Sequence, residues 1–265
     1  MSIVERNNVK IWGGGTRPML FVHGFGCDQH LWRLMTPNFE DDYCVVAFDQ
    51  VGAGRSDLAS YDPEKYSTLD GYATDVIEIV EELDLHDVIL VGHSVSSMIG
   101  VLAAKRAPER FSDLIMIGPS PRYIDDGDYV GGFTRDGVEE LLQFFENNHL
   151  GWAAAMAPVI MGNEDRPELA KELETSFCAA DPEIARIFAR VTFLSDNRAD
   201  LPGVTTSTLI IQTQDDVIAP IPVGEYCHKH IPGSKYVLID ATGHCAHLSA
   251  PEMTTAAIKT YLAER

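Results

Sequence analysis

Short runs of β-branched and aliphatic residues recur along this chain, and stretches with helical spacing separate them. The runs fall at 19–22, 44–48, 88–91, 114–117, 208–211 and 236–239. Apolar runs of this length, bounded by turn-forming residues, predict strands buried on both faces. Between them, 68–83 and 95–106 carry helical spacing. A last helix is predicted to begin near Pro251-Glu252 and run to about Leu262, with proline well placed in a first turn. Strands alternating with helices give a mostly parallel sheet flanked by helices, an α/β fold. The alternation stops after 117 and resumes near 208. Four helical patterns fill the interval, at 137–148, 152–161, 167–177 and 182–194. Loops such as Asp125-Asp126-Gly127-Asp128 and Asn163-Glu164-Asp165-Arg166 punctuate them. The pattern therefore predicts a core made of 1–119 and 201–265, interrupted by a helical insertion at 120–200.

The run at 88–91 leads into Gly92-His93-Ser94-Val95-Ser96 and then directly into a helical pattern. Strand, Gly-x-Ser-x-small turn and helix together describe the nucleophile elbow of an α/β-hydrolase. Such a turn strains the serine backbone and needs small neighbours, so that strand and helix can approach. Its hydroxyl then stands above the sheet, beside the positive end of the helix. Ser96 replaces the usual glycine at the fifth position. In this fold an all-helical insertion after the sixth strand sits above the strand ends, so 120–200 is expected to be a lid.

A serine hydroxyl is a poor nucleophile until a base removes its proton, and a carboxylate commonly orients that base. The chain order in this fold is serine, acid, histidine. Asp216 follows the run at 208–211 and stands four residues before Pro220, the common offset for the acid; Asp215 reads as a solvated neighbour. His244, after Gly243 and the run at 236–239, is the expected base. His247 is its rival but lacks the preceding glycine. A metal pair at His244-Cys245-Ala246-His247 would need further converging ligands, and no metal is expected. His228-Lys229-His230 reads as the surface end of a helix. His23-Gly24-Phe25-Gly26 follows the first run, where the oxyanion donors belong. The expected donors are the backbone amides of Phe25 and Val95, with His23 ordering the loop. Gly52-Ala53-Gly54 superficially resembles a dinucleotide fingerprint, but position 57 is Asp57 rather than glycine, so no cofactor is expected.

Composition narrows the setting. Hydrophobic residues make up 45% and charged residues 23%, which fits a soluble globular chain. No apolar run approaches the roughly 18 residues of a membrane span. The first residues lack the basic-then-apolar order of a signal peptide, which makes a cytoplasmic location the expectation. The net charge of −20, from 20 basic and 40 acidic residues, opposes binding to nucleic acid or anionic membranes. The cysteines Cys27, Cys44, Cys178, Cys227 and Cys245 are odd in number and share no Cys-x-x-Cys spacing, so they read mostly as small buried hydrophobes.

With these residues placed, the chain resembles one α/β-hydrolase subfamily across nearly its whole length. Its members are the bacterial stress-signalling hydrolase RsbQ and the plant strigolactone and karrikin receptors. The resemblance is carried by His23-Gly24-Phe25-Gly26-Cys27-Asp28-Gln29, Asp70-Gly71-Tyr72 and Val91-Gly92-His93-Ser94-Val95-Ser96. It extends to Ser120-Pro121-Arg122-Tyr123, Gly131-Gly132-Phe133, the Trp152 segment and Phe193-Leu194-Ser195-Asp196. It implies a V-shaped four-helix lid over a narrow apolar pocket and a triad of Ser94, Asp216 and His244. The implied pocket positions are Phe25, Val95, Trp152, Met156, Phe177, Ala189, Phe193 and Cys245. The plant receptors tend to carry an aromatic residue where this chain has Met156, and often one at Pro119. The implied activity is hydrolysis of a small apolar ester or lactone. RsbQ itself enables a partner phosphatase in stress signalling, so a signalling phosphatase is the implied protein partner.

Overall fold

The computed structural model describes residues 1–265. Seven strands form one sheet: β1 (Lys10–Trp12), β2 (Arg17–Val22), β3 (Tyr43–Ala47), β4 (Val88–His93), β5 (Phe111–Ile117), β6 (Ser207–Asp215) and β7 (Lys235–Thr242). They lie in the order β1-β3-β2-β4-β5-β6-β7, parallel throughout except for β1 against β3. Strand β1 has no counterpart among the predicted runs. It is three residues long at the sheet edge, and Lys10 and Ile11 are exposed, so it lacks a buried signature.

Alternation along the strands separates two cores. Met19 and Phe21 pack on one face with Ile89 and Val91, while Leu20 and Val22 pack on the other with Leu90 and Met98. The ten α-helices run from a short α1 (Ile3–Arg6) to α10 (Pro251–Ala263), which opens on Pro251 in its first turn. Helix α2 (Leu69–Glu82) buries Leu69, Tyr72, Ala73, Val76, Ile79 and Val80, the stripe a helix needs to lie on a sheet. Helix α3 (Val95–Arg106) is buried along nearly its whole length, as the helix after a central strand should be.

The helical segment leaves the sheet after β5, which is the fifth strand in this chain's own count. It comprises α4 (Arg135–Asn147), α5 (His149–Met161), α6 (Pro167–Ala179) and α7 (Pro182–Leu194), within one or two turns of the predicted patterns. Thr134 caps α4 and Asp181 caps α7, each accepting from backbone amides of the first turn. The apolar faces of these helices form a third core with Cys27, Ile218 and Cys245 from the sheet's loops. Arg122 and Asp196 tie the two ends of the segment together at 2.6 Å, and Arg198 bridges Asp196 and Asp126 at 2.7 Å each. The chain then closes through α8 (Ile221–His230), α9 (Ala246–Ser249) and α10. No helix is long and apolar enough to cross a membrane.

Strand order places the site. From β2 the chain turns to β3 on one side and then to β4 on the other, so β2 and β4 are neighbours whose following loops diverge. A crevice opens at such a switch point, beyond the carboxyl ends of the strands.

Candidate active site

Ser94 stands at this crevice, between the end of β4 and the first turn of α3. Its backbone is strained, with φ 58° and ψ −127°, and its amide is fixed to the Ile117 carbonyl at 2.8 Å. Gly92 is required by close approach, because a Cβ there would lie 2.5 Å from the Ser96 carbonyl oxygen. Ser96 is tolerated in place of glycine because its hydroxyl is fully used. It donates to the His23 carbonyl and accepts from Gln50 Nε2 at 2.9 Å.

His244 sits in the loop after β7, with Nε2 2.7 Å from Ser94 Oγ and Nδ1 2.8 Å from Asp216 Oδ2. With Asp216 accepting, the proton lies on Nδ1, and Nε2 accepts from the serine hydroxyl. Asp216 Oδ1 accepts from the amides of Ile218 at 2.8 Å and Ala219 at 3.0 Å. Burial works against its charge. The His244 ring, their hydrogen bond and the two amides outweigh burial and hold its carboxyl below the usual range. Asp215 is exposed.

His247 does not approach Ser94. Its ring packs between Trp32 at 4.7 Å and His93 at 4.4 Å, and it makes no hydrogen bond to Ser94 or Asp216. His23 fixes the glycine loop: Gln50 N donates to its Nε2 at 3.0 Å, which leaves Nδ1 to donate to the Gly24 carbonyl at 3.0 Å. The Phe25 amide in that loop donates to no backbone or side-chain acceptor. Val95 opens α3, so its amide is among the helix-start donors that lack an intrahelical partner.

These groups border a cavity of about 30 Å³, walled mainly by aliphatic and aromatic side chains and bearing no Lys, Arg, Asp or Glu. That is room for a water or two, so an entering ligand must displace surrounding side chains. Phe25 projects into the middle of an aromatic cage, with Phe145, Trp152, Phe177, Phe188 and Phe193 at 5.6–6.2 Å. Of the expected pocket residues, Phe25, Trp152, Phe177, Phe193 and Cys245 line the cavity. Met156, Ala189 and the Val95 side chain do not. Met156 is half-buried against the third core, Ala189 is buried within it, and Val95 packs into the core between sheet and helix. Of the cysteines, Cys27, Cys227 and Cys245 are buried, whereas Cys178 is exposed.

Seven further residues line the cavity, Cys27, His93, Tyr123, Ile160, Leu173, Thr192 and Ile218, and two of them carry hydroxyls. Tyr123 places its hydroxyl 3.4 Å from Ser94 Oγ, and burial pushes the phenol well above its usual range, so it remains a hydrogen-bond donor. Thr192 is the second. Tyr123 lies within a segment that carried the family resemblance, whereas Thr192 has no signal beyond its place beside Phe193. Further hydrogen bonds join the helical segment to the site: the His244 amide donates to the Ile160 carbonyl at 2.9 Å, and Ser176 Oγ donates to the Gly26 carbonyl at 2.9 Å.

An elbow serine beside a histidine and a buried acid, at the carboxyl edge of a mostly parallel sheet, is the arrangement of one large enzyme class. Residues 17–251 match the family model described as the alpha/beta hydrolase fold, and this chain belongs to that family. It is 40% identical to a karrikin insensitive 2 receptor of Petunia hybrida, over 96% of this chain and 94% of the relative. It is likewise 40% identical to a strigolactone esterase of Arabidopsis thaliana, over 94% of each chain. A solved hydrolase from Oleispira antarctica superposes with a TM-score of 0.97 at 45% identity, covering 99% of this chain and 97% of that one.

Proposed function

We propose that this protein hydrolyses small, largely apolar carboxylic esters or lactones through an acyl-enzyme on Ser94. The observation that carries the reading is the unbroken line from Ser94 Oγ through His244 to Asp216, at 2.7 and 2.8 Å, opening on an apolar cavity. As Ser94 Oγ attacks the carbonyl carbon, its proton passes to His244 Nε2 and the carbonyl π pair becomes an oxyanion. Ionised Asp216 stabilises the imidazolium, and the amides of Phe25 and Val95 receive the oxyanion. Collapse breaks the bond to the leaving oxygen, which takes the proton from His244. An ester releases an alcohol; a lactone leaves its hydroxyl tethered to the acyl group. Water then gives a proton to His244 and attacks the acyl carbon, and collapse returns the proton to Ser94. In this reading 1–119 and 201–265 carry the chemistry and 120–200 acts as the lid. Phe25, Trp152, Phe177, Phe193 and Cys245 contact the substrate, with Met156 and Ala189 standing behind them.

Covalent labelling tests the assignment. A fluorophosphonate probe should modify the wild-type protein at Ser94, and Ser94→Ala should lose labelling together with activity, by a factor on the order of 10⁶ in kcat. Labelling that persists in Ser94→Ala would move the nucleophile elsewhere.

The receptor names of the relatives favour a second reading, a ligand-responsive signalling protein of very slow turnover that acts through a protein partner such as a phosphatase. Turnover separates the two: many cycles per minute on a small ester mark an enzyme, and near-single turnover marks a sensor. Either role suits a cytoplasmic protein.

A further inference from the structure

The acid and the base of the site follow neighbouring strands, and two consecutive polar residues of β6 hold both of their loops. Leu209, Ile210 and Ile211 fill β6 as a central parallel strand requires, but the next two buried positions are Gln212 and Thr213. Their side chains leave the strand on opposite faces. Gln212 Nε2 donates to the Ala219 carbonyl at 2.7 Å and lies 3.5 Å from Asp216 Oδ2, the oxygen that faces His244. The reversed amide would set Oε1 against that carbonyl and that carboxylate, which fixes its orientation. Gln212 Oε1 is left buried without a partner, a cost that a plain apolar residue would avoid. Thr213 Oγ1 donates to the Gly243 carbonyl at 3.0 Å. The His244 amide of the same peptide donates to Ile160, so the peptide that carries His244 is held at both polar atoms. Backbone pairing is irregular here. Thr213 pairs with Ile239 but Asp215 with Thr242, so the ladder between β6 and β7 slips by one residue just before Asp216. Such an irregularity re-aims the side chains beside it.

We infer that Gln212 and Thr213 are positioning residues that set the acid and the base of the site against each other. Gln212 fixes the loop whose Ile218 and Ala219 amides hold Asp216, and Thr213 fixes the peptide that leads into His244. The inference rests on the hydrolase reading and says how its triad is kept in register. Neither side chain lines the cavity, so both act through Asp216 and His244 rather than on the substrate. The contact they govern is the hydrogen bond of 2.8 Å between His244 Nδ1 and Asp216 Oδ2. That bond orients the imidazole toward Ser94, so a small shift of either loop misaims Nε2.

Gln212→Met removes the donor at similar length, and Thr213→Val removes the hydroxyl at nearly constant shape. Each should lower kcat on p-nitrophenyl acetate about tenfold and leave KM within about twofold, because misplacing a reacting group slows the chemical step more than binding. Thr213→Ser keeps the hydroxyl and should recover most of the loss. Thr208→Val is the control for stability. It removes another buried hydroxyl from β6, one that donates to the Thr206 carbonyl at 2.9 Å. It should lower Tm by about 2–4 °C, as the other two variants do, and leave kcat unchanged. Because Gln212 and Thr213 act through one contact, the double variant should lose less than the product of the two single losses, whereas independent damage multiplies. The low-field proton resonance of His244 Nδ1–H reads that contact without turnover. It should move in Gln212→Met and Thr213→Val but not in Thr208→Val. An unchanged kcat in either Gln212→Met or Thr213→Val, or an equal loss in Thr208→Val, overturns the inference. If the resonance moves as expected while wild-type Ser94 resists fluorophosphonate, the positioning role stands and the hydrolase reading falls.

Discussion

His93 Nε2 donates a hydrogen bond to the backbone carbonyl of His244 at 3.0 Å. The residue immediately before Ser94 thus holds the backbone of the residue that faces Ser94, and both are referenced to the end of β4. Burial, reinforced by the nearby His244, pushes the His93 pKa down to about 3, so its ring stays neutral and the donor geometry holds across the working pH range. His93→Phe keeps a ring and removes the donor. It should lower kcat about tenfold with KM little changed, because misplacing a reacting group taxes the chemical step more than binding. Steady-state kinetics check this, and the fluorophosphonate labelling rate should fall in parallel.

Three buried histidines should weaken the fold as the pH falls. Burial lowers the pKa of His23, His93 and His247 in the folded chain. The unfolded chain takes up these protons near pH 6.5, while the folded chain resists them, to about pH 3 at His93. Their contribution is therefore complete above pH 6.5 and is lost as pH falls below it, by up to about 1.4 kcal/mol per pH unit per histidine. The Tm should drop steadily from pH 6.5 to 4.5. His247→Phe, which keeps a ring between Trp32 and His93, should flatten the drop by about one proton's worth. An equally steep fall in that variant would assign the effect elsewhere.

The two histidines after β7 should separate cleanly in activity. His244→Ala removes the group that touches both Ser94 and Asp216, and should cost about 10⁴–10⁶ in kcat. His247→Phe touches neither and should stay within a few-fold of wild type. Activity that survives in His244→Ala and vanishes in His247→Phe would transfer the base to His247.

The core strands were legible because central parallel strands are apolar on both faces, and a run such as Val88-Ile89-Leu90-Val91 has few other readings. Ser94, Asp216 and His244 were legible because each follows such a run at a turn, so chain order alone gathers them at one edge of the sheet. The insertion was legible as four helices but not as a surface. Helical spacing shows that Met156 and Ala189 face a core, yet it cannot tell the cavity wall from the layer behind it, which depends on how α5 and α7 rotate against each other. Tyr123 lies in irregular chain between β5 and α4, where no periodicity fixes where a side chain points. Thr192 looked like any helical threonine.

Phe177 should set the length of the acyl group. It is 3% exposed, lines the cavity, and packs so closely on the loop after β2 that a Cβ at Gly26 would lie 2.3 Å from its ring. Phe177→Ala should cost about 3 kcal/mol of stability, a fall of roughly 6–12 °C in Tm at this size, and still leave the protein folded. The space it opens adjoins a cavity of about 30 Å³, so the gain is large relative to what is there. Across p-nitrophenyl esters from acetate to octanoate, the optimum of kcat/KM should shift toward longer chains. Gly26→Ala should act in the opposite direction. Its φ of +68° strains a side chain, and the new methyl drives the Phe177 ring into the cavity, so even short esters should turn over more slowly. If Phe177→Ala loses stability as expected while the optimum stays at the same chain length, the acyl group does not lie against Phe177, and the leaving group must occupy that side of the cavity instead.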